Sequence, residues 1–291
     1  MSDVSARCLP WPEEWPAPGG VRPQVTATVF AALGLGSVIA AVIALVERPP
    51  DVRGVIMAVC APLFLGLAAL VTLTRLRVRG RGSASVRLGR VDAADSDAVL
   101  IPYSRGLATT YVVMSLSMLV LFGLVAVVSL LVLIDGESSD SGMILLVFAS
   151  GAATLYLLLL GIDAFRGAVS RGVLALAPTG VYHRSWAFTR FVSWDSMVSV
   201  TAGASGDQLI TAAVYDGSTP SVHLRSRLWW QPELSLVPHL GVQGANLSVD
   251  PVLAYHALRF YQNHAEARAE LGSQAGADRL LRADLLDQNP P

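Results

Sequence analysis

Four stretches of the chain carry no charged side chain: 25–46, 54–74, 106–134 and 141–162. Each reaches the roughly 20 residues that a helix needs to cross about 30 Å of hydrocarbon. The pattern predicts four transmembrane helices. Elsewhere the apolar positions come in short runs. Residues 85–91 and 98–103 are strand-like and flank a polar turn at 92–97, which predicts a hairpin between spans two and three. After span four, strand-like runs recur at 172–177, 181–186, 191–194, 197–201, 208–215 and 221–228. Pro178, Gly180 and the pair Asp216, Gly217 supply turn signals between them. Short strands at this spacing predict a small antiparallel sandwich or barrel.

The last part of the chain changes period again. Asp250 suits a helix cap and Pro251 the first helical position. Val252, Tyr255, Leu258 and Tyr261 then recur at helical spacing, and Gly272 ends the helix. A weaker amphipathic stretch covers 275–286. The predicted organisation is a disordered Pro- and Trp-rich tail at 1–24, a four-helix membrane region at 25–166 with an arginine-rich hairpin at 75–105, a β domain at 167–272, and an amphipathic tail at 273–291. In the tail, Pro10, Pro12, Pro16 and Pro18 predict extended or disordered chain, with Trp11 and Trp15 resting at the membrane interface or docking a partner. The first apolar run starts after this acidic lead and is too long for a signal-peptide core.

Composition sharpens the picture. Hydrophobic residues are 53% of the chain, charged residues 15%, and the mean hydropathy is +0.53, against a soluble-domain norm of about a quarter charged. The net charge of −1 gives no bulk attraction to nucleic acid. Every basic residue apart from histidine is arginine, a trace of a GC-rich, bacterial genome. Cys8 in the tail and Cys60 in an apolar run do not make a disulfide or metal framework.

Arginine placement predicts orientation. The connection after span two carries Arg75, Arg77, Arg79, Arg81, Arg87, Arg90 and Arg105, whereas 135–140 carries none. The positive-inside rule puts the arginine-rich side and both termini in the cytoplasm of a multi-pass cell-membrane protein. Arg166, Arg171, Arg184 and Arg190 after span four agree. The outer loops are too short for a receptor domain. No Asp, Glu, Arg or His falls at mid-membrane depth, which disfavours an ion-coupled transporter or pump; Asp163 lies only at a span end. Small residues spaced four apart in span one, at Ala32, Gly36, Ala40 and Ala44, suit close helix packing within the chain or in a dimer.

Three groups of residues are candidates for lipid or partner contact. Arg75, Arg77, Arg79 and Arg81 follow span two directly and suit anionic headgroups, or simply set topology. Arg184 and Arg190 flank Trp186 at the second hairpin of the β region. Trp229 and Trp230 stand beside Arg225 and Arg227, either exposed or packed on the rim of the strands. Asp92, Asp95 and Asp97 are a possible cation ligand set, but they lack the glycine and distal glutamate of a calcium loop and suit a solvated turn. No phosphate-cradling glycine loop, zinc-protease motif or nucleophile elbow is present.

The residues from Arg171 to Ser185, with Pro178, Gly180 and His183 among them, and Phe191 to Asp195 with Trp194, carry a resemblance. Leading strand, turn, second strand, basic residue and then Trp-Asp resembles the bacterial pleckstrin-homology-like (PH-like) domain found in membrane proteins. The resemblance covers about 167–271. It implies a binding or assembly module. It does not carry over phosphoinositide binding, because the first turn, 178–180, has no basic residue. The expected fold class is therefore four transmembrane helices plus a cytoplasmic PH-like antiparallel β barrel or sandwich closed by a C-terminal α-helix. The expected function is a non-enzymatic adaptor or assembly factor without a cofactor or catalytic or metal residues, binding a protein partner or itself. The alternatives are an anionic-lipid-responsive regulator embedded in the bilayer, and an accessory subunit of a transporter or membrane enzyme.

Overall fold

A computed structural model describes residues 9–46, 52–92, 95–135, 141–203, 208–215, 221–229 and 231–286. The chain divides into two compact units. One holds the long helices, Val21–Thr72 and Gly106–Gly167; the other gathers Met1–Gly20, Leu73–Arg105 and Ala168–Pro291.

The helical unit contains α1 (Val21–Val46), α2 (Val52–Val71), α3 (Arg105–Ile134) and α4 (Ser141–Phe165), with a π-helical turn, Thr72–Leu76, extending α2. All four helices are long and apolar enough to cross a membrane. Their outer faces carry large apolar side chains: Leu145 is 69% exposed and Phe148 is 73% exposed. Such faces suit hydrocarbon rather than water. Polar groups inside the helices bond back to their own backbone. Ser117 donates to the carbonyl of Val113, Ser150 to that of Leu146 and Thr154 to that of Ser150. This is the internal satisfaction that a bilayer demands.

Close packing within the chain uses a different stripe of α1 from Ala32, Gly36, Ala40 and Ala44. Ala27, Gly34, Ser37 and Ala41 are buried, while Ala32, Gly36 and Ala40 face outward. A Cβ on Gly34 would stand 2.7 Å from the Leu65 side chain of α2, so the missing side chain sets that approach. Residues three and four apart share a helix face, and several overlapping small-residue stripes fit this sequence.

The second unit is built on two antiparallel sheets. The larger runs β1 (Arg87–Val91), β2 (Ser96–Pro102), β3 (Val173–Ala177), β4 (Gly180–Arg184), β5 (Phe188–Ser193) and β8 (Ser221–Leu224), in that spatial order. The smaller is β6 (Met197–Gly203), β7 (Leu209–Val214) and β9 (Leu240–Gln243), with β7 in the centre. Among the described residues the sheets stay open, so the barrel alternative is not what forms. The hairpin between spans two and three joins the larger sheet directly, pairing Val99 with Leu176 and Ile101 with Leu174. β5 and β7 alternate buried and half-buried positions along their length, the period of a strand with one covered face.

Helix α5 (Pro251–Asn263) covers this core. The Asp250 carboxylate accepts from the amide of Val252 at 3.0 Å, and Pro251 opens the helix, as its sequence predicts. Leu253, Leu258 and Tyr261 are fully buried. A 3-10 stretch (Ala265–Gly272) and α6 (Gln274–Arg282) follow, where one long helix to Gly272 was expected. His264 breaks the α-helix with φ −115° and ψ 84°.

The tail expected to be disordered is docked from Leu9 onward. Leu9 and Trp15 are buried, Trp15 donates to the Leu209 carbonyl at 3.1 Å, and its ring meets Trp11 and Tyr255 edge-on. Apolar area decides the outcome: two indoles and a leucine find a covered surface, and prolines that disfavour regular structure do not prevent that. Residues 1–8, including Cys8, lie outside the described part of the chain.

Candidate functional site

The larger sheet places three separate pieces of chain side by side. Arg87 begins β1, Arg105 follows the end of β2 by three residues, and Arg171 stands two residues before β3. The pairing of β1 with β2 and of β2 with β3 brings them together, although 105 and 171 are distant in sequence. The amide of Tyr103 donates to the Gly172 carbonyl at 2.9 Å and prolongs the β2–β3 ladder to the site. Gly172 is needed there. A Cβ would lie 2.5 Å from the Arg184 carbonyl oxygen and 2.7 Å from the Tyr103 ring.

These residues line a cleft of about 880 Å³ within the β-bearing unit. Six arginines border it: Arg77, Arg79, Arg81, Arg87, Arg105 and Arg171, with hydroxyl-bearing Ser85, Tyr103, Ser104 and Ser248 between them. Among the described residues no Asp or Glu lines it. The charges feel one another. Burial, then Arg105, Arg87 and Arg184, hold the Arg171 guanidinium below its usual range. A smaller cavity of about 260 Å³ lies on the other side of Arg87 and Arg171 and adds Arg90, Asp92 and Arg184.

The six arginines do different work. Arg81 is half-buried and donates to the carbonyls of Leu73, Ala245 and Leu247. Burial lowers its pKa, and the charge of Asp250 opposes that. Asp250 itself is fully buried and accepts from the amide of Gly80 at 2.9 Å, so it ties the arginine segment to α5 while capping that helix. Arg79 lies 5.2 Å from the centroid of the Trp11 ring and reaches the Leu9 carbonyl at 3.4 Å. Arg81 and Arg79 are thus structural clamps. Arg77, Arg87 and Arg105 are exposed, with Arg171 half-buried beside them.

The other expected contact residues are dispersed. Arg75 does not border the cleft. Arg184 donates to the Arg171 carbonyl at 3.1 Å and borders the smaller cavity. Arg190 is 2% exposed and donates to the carbonyls of Pro238 and His239, so it belongs to the interior and not to a contact surface. Trp186 is buried against Tyr103 and Trp229, and Trp229 is half-buried. Trp230 lies outside the described residues. Asp95 of the acidic turn pairs with Arg90 at 2.9 Å in solvent, and no group of three metal-ligating side chains occurs among the described residues.

Behind the cleft sits a buried polar group. Tyr103 is fully buried and meets Nε2 of His183 at 2.7 Å and Oγ of Ser185 at 3.4 Å. Burial, then the charge of Arg190, pushes His183 down to about 3, so the ring is neutral. Burial raises the Tyr103 phenol, and the nearby Glu233 adds to the shift. Glu233, itself buried, is pushed up to about 7. Sequence reasoning had no signal for this group, since its members come from four elements.

Compared with known protein families, with curated proteins and with solved structures, the chain gives no match.

Proposed function

We propose that this is a membrane-anchored binding protein whose cytoplasmic β unit responds to anionic lipid. The observation that carries this reading is the cleft bordered by six arginines and, among the described residues, by no carboxylate. A basic concavity with no carboxylate on its described wall attracts anions and concentrates them. Chain connectivity supports a lipid source: Arg77 is the first residue after the turn that extends α2, and Arg105 is the first residue of α3. Juxtamembrane arginines contribute about 1 kcal/mol each toward an anionic surface. The positive-inside rule supports a cytoplasmic location for this segment. The antiparallel strands followed by α5 support the PH-like resemblance, and the open sheets depart from its barrel.

The test is hydrogen exchange on the full chain in nanodiscs of zwitterionic lipid, with and without phosphatidylglycerol. Anionic lipid should protect amides in 77–91 and 168–175, and raised salt should remove the protection. Identical exchange in both lipids sinks the proposal. The protein-adaptor reading then leads, and co-purification from native membranes would name its partner.

A further inference from the structure

Arg87 opens β1, while Arg105 and Arg171 lie just beyond the paired ends of β2 and β3, so strand pairing and the Tyr103–Gly172 bond bring the three to one cleft. Burial, then Arg105, Arg87 and Arg184, act against the charge of Arg171, and among the described residues no carboxylate stands on the cleft wall beside it. Three guanidiniums on one cleft exceed the charge that a monoanion can balance. A phosphomonoester carries close to two negative charges at neutral pH and three acceptor oxygens. Guanidinium forks match those oxygens in pairs. The cleft volume, about 880 Å³, lies within the range of small-ligand sites.

We propose that the cleft binds a phosphomonoester dianion, held by Arg87, Arg105 and Arg171. This rests on the reading of the cleft as an anion site and names the anion. The phosphate is the terminal group of a lipid such as a phosphatidate, or of a soluble ester such as a glycerol phosphate. Phosphodiester headgroups, with one charge and two free oxygens, fit less well. Arg79 and Arg81 stay engaged with carbonyls and Trp11 and shape the wall.

The experiment uses the full chain in zwitterionic nanodiscs and reads thermal stabilisation and hydrogen exchange. The probes are sn-glycerol 3-phosphate added in solution, phosphatidate in the disc, and phosphatidylglycerol in the disc. At least one phosphomonoester should stabilise the protein saturably, at an apparent affinity about tenfold or more above the diester. Saturation by glycerol 3-phosphate assigns a soluble source; saturation by phosphatidate alone assigns a lipid. Arg105→Gln and Arg171→Gln should each weaken the effect about tenfold, and Arg171→Lys should also weaken it although the charge is kept. Arg282→Gln, which removes one exposed charge elsewhere, should leave it unchanged. Equal responses to diester and monoester, or an Arg171→Lys variant that behaves as the parent chain, would overturn the phosphomonoester assignment while leaving the broader anionic-surface reading standing. No response to any of the three probes overturns both.

Discussion

The phenol of Tyr103 and Nε2 of His183 stand 2.7 Å apart, both side chains fully buried. The pair joins the end of β2 to β4 directly behind the arginine cleft. His183 Nδ1 has no hydrogen-bond partner among the described residues. A missing partner costs less at an acceptor than at a buried N–H, so the favoured tautomer places the proton on Nε2, donating to Tyr103. The phenol hydrogen then points to Ser185.

Neutral His183 makes the fold acid-sensitive. Its pKa falls from 6.5 in the unfolded chain to about 3 in the fold, so only the unfolded state takes up this proton in between. Stability from this residue is present above about pH 6.5 and is lost as pH falls toward 3. Thermal unfolding followed over that range should show the loss, and His183→Gln should flatten it. An unchanged pH profile in His183→Gln would remove the residue from the account.

Glu233 contributes the opposite slope. Its pKa rises from 4.5 to about 7 on folding, so its stabilising effect is full below 4.5 and lost as pH rises through 7. Between about 4.5 and 6.5 the two residues offset one another. Glu233→Gln should stabilise the protein by about 1–3 kcal/mol at pH 8, where the parent buries a charge, and change little at pH 5. Melting temperatures at the two pH values decide it.

Arg81 and Arg77 sit in one basic run and should behave differently. Arg81→Gln removes a guanidinium from three carbonyls and leaves Asp250 with Arg79 but not Arg81 beside it, at a cost of about 2–4 kcal/mol. Arg77→Gln, at an exposed position, should shift stability by no more than about 0.5 kcal/mol. Denaturation of the two variants side by side measures the difference.

The N-terminal segment is part of the β unit. Trp15→Ala deletes a buried indole, its bond to Leu209 and its contact with Tyr255. The expected cost is about 3–5 kcal/mol. Limited proteolysis should then cut within 9–20, where the parent chain resists. Equal cleavage of both proteins would show the segment undocked in solution.

Much of this architecture was legible because it is local. The four spans were visible as charge-free runs, and α1 to α4 match them with ends shifted by a few residues. The hairpin of β1 and β2, the strands from β3 to β8 and the Asp250-Pro251 start of α5 followed from period and turn chemistry. β9 was missed: Pro238 and Gly241 flank or interrupt a run of four residues, too short for a period to register.

Composition and short-range pattern by themselves determined which segments suit hydrocarbon, where strands and helices begin, and on which side of each span arginine accumulates. Those properties depend on neighbours within a few residues. Only the tertiary structure decided what each arginine does. Pairing of β1, β2 and β3 set Arg87, Arg105 and Arg171 around one cleft, while the fold turned Arg81 onto the carbonyls of Leu73, Ala245 and Leu247, took Arg190 onto those of Pro238 and His239, and packed Trp186 on Tyr103 and Trp229. It also drew Trp15 to a surface built from residues about 200 positions away (Leu209 lies 194 residues along). Those outcomes rest on contacts between distant segments, and equal charges in one run read alike until the fold gives each a different environment.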